Sequence, residues 1–199
     1  MSNPSQIILP PTSEYLLVLS PDEDLQERIG RIKQVFSEKT GARISGRKTH
    51  ILLARWQGWD MQEERLMQRL SVVAMEQYPF RIQLDGFSGF PSHTWFIQVP
   101  TREPILRLVS GLRKHKKWMQ SGETDPYFIH EPHLPIARGL SPGQYEQALQ
   151  GFGSRHFHAG FLSDGMLLLK KRPGALAYQI LRRFDFEHIP VQARQASLF

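Results

Sequence analysis

Apolar and polar positions along the chain fall into two successive series of the same kind. Glu14 to Ser20 has the content of a strand, and Pro21 then opens a stretch in which Leu25, Ile29, Ile32 and Phe36 keep helical spacing until Thr40-Gly41. Thr49 to Trp56 is a short apolar run suited to a buried strand. Asp60 follows as a predicted N-cap, with Glu63 three residues on and a helix that buries Leu66, Leu70, Val73 and Ala74. Phe80 to Phe87 and Thr94 to Val99 are rich in β-favouring residues and flank a Gly-Phe-Ser-Gly-Phe-Pro-Ser turn, so they are expected to pair antiparallel.

The order then repeats. Thr101 is the predicted cap of a helix carrying Ile105, Leu108, Val109 and Leu112, and a looser stretch from Met119 to Tyr127 leads to a strand at Pro132 to Arg138. Ser141-Pro142 starts another helix, with Tyr145, Ala148, Leu149 and Phe152 on one side. Arg155 to Leu162, Met166 to Lys171 and Tyr178 to Phe186 read as strands. Helices alternating with antiparallel strands predict an α+β fold rather than a parallel doubly wound sheet. The expected architecture is bilobal, with two pseudo-symmetric helix-strand-helix-strand-strand halves at about 22–100 and 101–172. Their antiparallel sheets face a central groove, and a strand at 178–186 closes the fold. The whole forms one domain, 13–188, between tails 1–12 and 190–199 that have no clear periodicity.

Hydrophobic residues at 40% and charged residues at 22% of 199 positions are ordinary for a soluble globular protein. No apolar run approaches the roughly 18 residues of a membrane helix. Met1-Ser2-Asn3-Pro4 lacks the basic and apolar regions of a secretory signal, and there is no cysteine, so a cytoplasmic location is expected and thiolate metal sites are excluded. The net charge of +6 suits phosphate-bearing ligands. The most visible cluster, Arg113-Lys114-His115-Lys116-Lys117, closes a predicted helix, where cations also complement the helix dipole.

Aligning the two series superposes Thr49-His50-Ile51-Leu52-Leu53-Ala54-Arg55 on Pro132-His133-Leu134-Pro135-Ile136-Ala137-Arg138, and each reads His-x-x-x-Ala-Arg. One histidine in an apolar strand is ordinarily a structural residue. Two in register across a repeat are brought together when related halves meet about a twofold axis. Two imidazoles flanking one phosphorus are what acid and base work on a phosphodiester requires.

These residues make the chain resemble the 2H phosphoesterases, which include bacterial RNA 2′,3′-cyclic phosphodiesterases named for 2′-5′ RNA ligase activity. The resemblance runs from the strand at Tyr15 to the strand ending near Phe186. It implies a bilobal protein with two His-x-Thr or His-x-Ser motifs on strands facing a groove. His50 and His133 are then the catalytic pair, and Arg138 matches an arginine common after the second motif. The chain departs from the pattern at the third position of both motifs, where Leu52 and Pro135 replace the hydroxyl residue. Side chains at i and i+2 of a strand share a face about 6.7 Å apart, so the family hydroxyls stand beside the histidines and donate to phosphate oxygens. Leu52 and Pro135 cannot donate, and one lost donor to developing charge typically costs about 3 to 4 kcal/mol. Proline also lacks a ladder donor, so the second motif strand is expected to be locally irregular.

Candidate phosphate or substrate contacts are Arg47 and Lys48 before the first motif, Tyr127 and His130 before the second, and Arg55 and Arg138 after them. An offset of five from each histidine sends both arginines to the opposite face unless a bulge reorients them. His130-Glu131-Pro132-His133 and His156-Phe157-His158 contain metal-binding residue types, but Pro132 spoils a helical ligand spacing and His156-x-His158 is equally an exposed strand face. No metal and no cofactor are expected. Gly151-Phe152-Gly153 lacks the third glycine and preceding strand of a nucleotide-binding loop. The sequence therefore reads as a metal-independent phosphoesterase acting by two-histidine catalysis on 2′,3′-cyclic phosphates of RNA ends or nucleotides. The alternative is a degenerate relative that binds RNA or a phosphorylated small ligand without hydrolysis. The expected partner is RNA or a phosphorylated nucleotide or small molecule, with no membrane association and a monomeric state.

Overall fold

A computed structural model describes residues 11–44, 46, 48–91, 94–121 and 124–188. The fold is α+β, with antiparallel pairing throughout. Strand β1 (Thr12–Leu19) leads into helix α1 (Glu23–Thr40), and β2 (Ile51–Trp59) into α2 (Glu63–Met75). Three strands follow: β3 (Phe80–Asp85), β4 (Phe87–Phe90) and β5 (Thr94–Gln98). Then come α3 (Glu103–Arg113), the short β6 (Tyr127–Phe128), β7 (His133–Arg138) and α4 (Pro142–Phe152). Strands β8 (His158–Ser163), β9 (Gly165–Lys171) and β10 (Gln179–Asp185) complete the chain.

Neither larger sheet is built from one stretch of chain. The five-stranded sheet has the order β10-β9-β1-β2-β6, so strands from near the C-terminus flank β1. The three-stranded sheet, β4-β5-β7, places the second motif strand against β5, and β3 pairs with β8. This corrects one expectation. Residues 80–87 do not form a single strand paired with 94–99, because Gly86 adopts a φ of 65° that breaks the run. Phe80–Asp85 turns to β8, and only Phe87–Phe90 pairs with β5.

Two predicted caps also have other roles. Asp60 begins a 3-10 turn, and its carboxylate lies 3.1 Å from the Tyr15 hydroxyl and 3.2 Å from the Lys170 ammonium. Thr101 accepts a hydrogen bond from the Gln83 backbone N–H rather than capping α3. Ser141 does cap α4, in a reciprocal capping box with Gln144.

Helix α1 connects core and groove. Leu25, Ile29 and Phe36 are buried, and the Phe36 ring packs 5.0 Å from Phe152 of α4 and 6.4 Å from Trp95 of β5. Beside this stripe, seven residues apart, Gln26 and Lys33 are also buried, at 4% and 5% exposure. The Gln26 amide donates to the Thr49 carbonyl at 2.7 Å and accepts from the Thr49 N–H at 2.9 Å. Thr49 Oγ1 donates in turn to the Pro135 carbonyl at 2.7 Å, tying the start of β2 to β7. The backbone immediately before His50 is thus fixed from a helix and from the other motif strand.

Replacing Gln26 by Leu leaves a buried N–H and a buried C=O without partners, each costing about 1 to 3 kcal/mol. Gln26→Leu is expected to lose roughly 2 to 6 kcal/mol in urea unfolding. Unchanged stability would show that Thr49 does not depend on this clamp.

Candidate phosphate-binding groove

The two motif strands share an irregularity that sequence spacing allowed but did not require. In β2, Leu17 faces Ala54 while the next residue, Val18, faces Leu52, which leaves Leu53 as an extra residue. In β7, Trp95 faces Ala137 while Phe96 faces Pro135, which leaves Ile136 extra. Both bulges fall three residues after the histidine. Residues 50–55 and 133–138 accordingly have the same exposure sequence: half-buried, buried, half-buried, buried, buried, exposed. A bulge shifts the alternation by one. The histidine, the residue two positions later and the arginine five positions later are brought toward one side.

That side forms a groove of about 270 Å³ where the five-stranded sheet meets β7. Lys48, His50, Leu52 and Arg55 line it from the first motif, and Pro135 and Arg138 from the second. Lys33 enters from α1, while Glu14 and Tyr178 stand at the rim. His133 shares the β7 face with Pro135, one pleat beyond the lining. Its ring lies between Phe90 and Phe96, with centroids 5.2 and 5.0 Å away. Its Nδ1 is 2.8 Å from the Glu131 carbonyl, which selects the tautomer with the proton on Nδ1 and leaves Nε2 as the other functional nitrogen.

A second recess of about 370 Å³ shares Glu14 and Arg55 with the groove and adds Trp56, Thr124, Asp125 and Tyr127. Arg55 lies over the Tyr127 ring at 5.8 Å. His130 lines neither cavity; it is exposed, with Nδ1 3.4 Å from an Arg113 nitrogen. Arg47 lies outside the described residues. Among the described residues, no three His, Asp or Glu side chains converge as a metal site.

Electrostatically the groove is predominantly cationic, and Glu14 is the one carboxylate among its described lining residues. Burial, followed by the charges of Lys33 and Lys48, pushes the His50 imidazole down to about 4. Its Nδ1 is buried, with no hydrogen-bond partner among the described residues. Burial also lowers His133, opposed by the Glu131 carbonyl and carboxylate. Arg138, exposed as a residue, is lowered by partial desolvation and by the charge of Arg55. Burial and a hydrogen bond to Glu14 raise the Tyr178 hydroxyl, and that hydrogen bond occupies the Glu14 carboxylate. Lys48 is paired with Glu23 at 3.1 Å.

Sequence reading missed Lys33, Glu14 and Tyr178. Lys33 had a weak signal, since Gln26 and Lys33 recur at helical spacing along the margin of the apolar stripe. Tyr178 arrives through the β9–β10 connection, which leaves no local pattern.

The sequence profile of the 2′-5′ RNA ligase superfamily matches residues 21–174. Among solved structures, Escherichia coli LigT complexed with phosphate has a TM-score of 0.66 at 13% identity, covering 88% of this chain and 98% of that one. The same protein complexed with 3′-AMP gives 0.66 at 14% identity, again covering 88% and 98%. TT0787 of Thermus thermophilus gives 0.62 at 18% identity, covering 87% and 98%. No curated protein sequence matches significantly.

The His50 shift predicts an acid-dependent loss of stability. The unfolded chain takes up a proton near 6.5, whereas the folded ring resists protonation to about 4, so this contribution is complete above 6.5 and lost as pH falls toward 4. At roughly 1.4 kcal/mol per unit, it approaches about 3 kcal/mol. Urea unfolding of wild type between pH 7 and pH 4 is expected to fall more steeply than that of His50→Gln by about this amount. Parallel curves would contradict the burial of a neutral ring.

Proposed function

The chain belongs to the 2′-5′ RNA ligase superfamily of 2H phosphoesterases, and from that premise we propose that it hydrolyses 2′,3′-cyclic phosphates of RNA ends or nucleotides. The observation that carries this reading is the pair of His-x-x-x-Ala-Arg segments with one shared bulge and one shared exposure pattern beside a single cationic groove. Phosphate and 3′-AMP bound to LigT, a protein of the same fold, support an anionic ribonucleotide as the ligand.

In the proposed reaction His50 is the base, because burial and two lysines disfavour its charged form, whereas the Glu131 carbonyl and carboxylate favour the charged form of His133. It takes a proton as a water oxygen bonds to phosphorus. His133 is the acid: its Nδ1–H is held by the Glu131 carbonyl, and Nε2 delivers a proton to the ribose oxygen as the P–O bond breaks. The product is a ribose phosphomonoester with one free hydroxyl, and the His50 proton returns to solvent. Arg55, Arg138 and Lys48 supply charge to the non-bridging oxygens. The adjoining recess receives the nucleoside, with Tyr127 as a stacking wall. The reaction requires no metal.

A second reading rests on Leu52 and Pro135, whose side chains offer no donor at the positions of the family hydroxyls. In that reading the groove binds a phosphorylated ligand and does not turn it over.

Incubation of metal-free protein with a panel of 2′,3′-cyclic nucleotides and cyclic-phosphate-ended oligoribonucleotides separates the two. Turnover is expected to survive chelation and to have a bell-shaped pH dependence of kcat/KM, since one ring must be neutral and the other charged. His50→Ala and His133→Ala should each lose at least about a hundredfold, and the double variant much less than the product of the two losses. Leu52→Thr should raise kcat by restoring a donor. Binding without turnover would establish the second reading, and wild-type turnover in both folded alanine variants would exclude the first.

A further inference from the structure

Lys33 is a buried cation with no counter-ion among the described residues. Lysine ordinarily keeps its ammonium in water or pairs it with an acid. Here the residue is 5% exposed, projects from the middle of α1 and lines the groove with His50, Leu52, Pro135 and Arg138. Among the described residues, no carboxylate lies within ion-pair distance of it and it makes no hydrogen bond. The charged or ionisable groups that register its presence, Arg138 and His50, are both basic. Burial and the Arg138 charge lower the amine to about 8, so it is still mainly protonated at neutral pH.

An uncompensated ammonium beside a guanidinium is a stability cost unless an anion occupies the groove. Its placement also meets a chemical need. The residues two positions after each motif histidine, Leu52 and Pro135, lie in the same lining and have no donor to offer. The three protons of an ammonium arriving from above the strands supply what those side chains lack.

We propose that Lys33 is a catalytic, phosphate-binding residue of this chain, donating from α1 to the non-bridging oxygens of a phosphate ester in place of the missing motif hydroxyls. This rests on the reading of the groove as a phosphate site. The ligand class is therefore an anionic phosphate mono- or diester, with Lys33 and Arg138 on the same phosphate and strand-borne donors absent. Lys33 strengthens its contact as negative charge accumulates in the transition state, so its removal lowers kcat as well as affinity.

The test compares Lys33→Met, which keeps the aliphatic volume, with Lys33→Arg, which keeps the charge, and with Arg138→Met. Inorganic phosphate affinity is measured by calorimetry, turnover with 2′,3′-cyclic AMP, and stability by urea unfolding. Lys33→Met is expected to be at least as stable as wild type without ligand, to bind phosphate about tenfold or more weakly, and to lose about a hundredfold in kcat. Lys33→Arg should recover part of both losses. If Lys33→Met does not fold, Lys33→Gln is judged by the same phosphate affinity. Wild-type phosphate affinity and turnover in the Lys33 variant, with both lost in Arg138→Met, would overturn the role of Lys33 and leave the groove intact. Unchanged phosphate affinity in both variants, or no phosphate binding by wild type, would overturn the groove reading and Lys33 with it.

Discussion

The site depends on one extra residue in each of two strands. Without Leu53 and Ile136, strict alternation would turn Arg55 and Arg138 away from the face that carries His50 and His133. With them, His50, Arg55 and Arg138 line one groove, and His133 stands on the same β7 face one pleat beyond it. Each bulge is supported by its surroundings. The carbonyl of Leu53 accepts from the N–H of Ile129, just after β6, and Pro135, next to Ile136, has no N–H to leave unpaired. The segment from β6 to β7 thereby runs from the edge of one motif strand directly into the other.

Around these bulges, α1 acts as a brace with two polar arms. Gln26 closes the backbone before His50, and Thr49 passes that restraint to the Pro135 carbonyl. Seven residues on, Lys33 adds charge to the groove from the same helix. The resulting surface has basic groups from three elements, with Glu14 engaged by Tyr178 and Lys48 engaged by Glu23. Burial keeps His50 neutral in this cationic setting, and the free energy of folding falls when the ring is forced to charge. Anion binding is the natural complement: it offsets repulsion among the cations and gives the buried amine a partner.

Much of this was legible in the sequence because the responsible patterns are local and periodic. The spacing of Leu25, Ile29, Ile32 and Phe36 predicts α1, and the duplicated His-x-x-x-Ala-Arg segment identifies both motif strands with the pairs His50–Arg55 and His133–Arg138. The proline at 135 signals irregularity in β7, and that strand does carry a bulge. Nothing comparable marks the bulge at Leu53, since Ile51-Leu52-Leu53-Ala54 is uniformly apolar and gives no phase. Strand partners were the harder problem. The run 80–87 reads as one strand by composition, but the backbone at Gly86 divides it between two sheets, and only long-range pairing selects β8 for the first part. Lys33 looks like a solvated helix residue until the sheet is set beneath it, and Tyr178 becomes part of the site only through the β9–β10 hairpin.

A crystal structure of the protein with bound inorganic phosphate tests this arrangement of the two motif strands. Phosphate is expected in the groove between β2 and β7, within hydrogen-bonding distance of His50, His133 and Arg138, with both bulges retained. Phosphate bound elsewhere with this groove empty, or either arginine turned from the histidine face by a strand without its bulge, would contradict it.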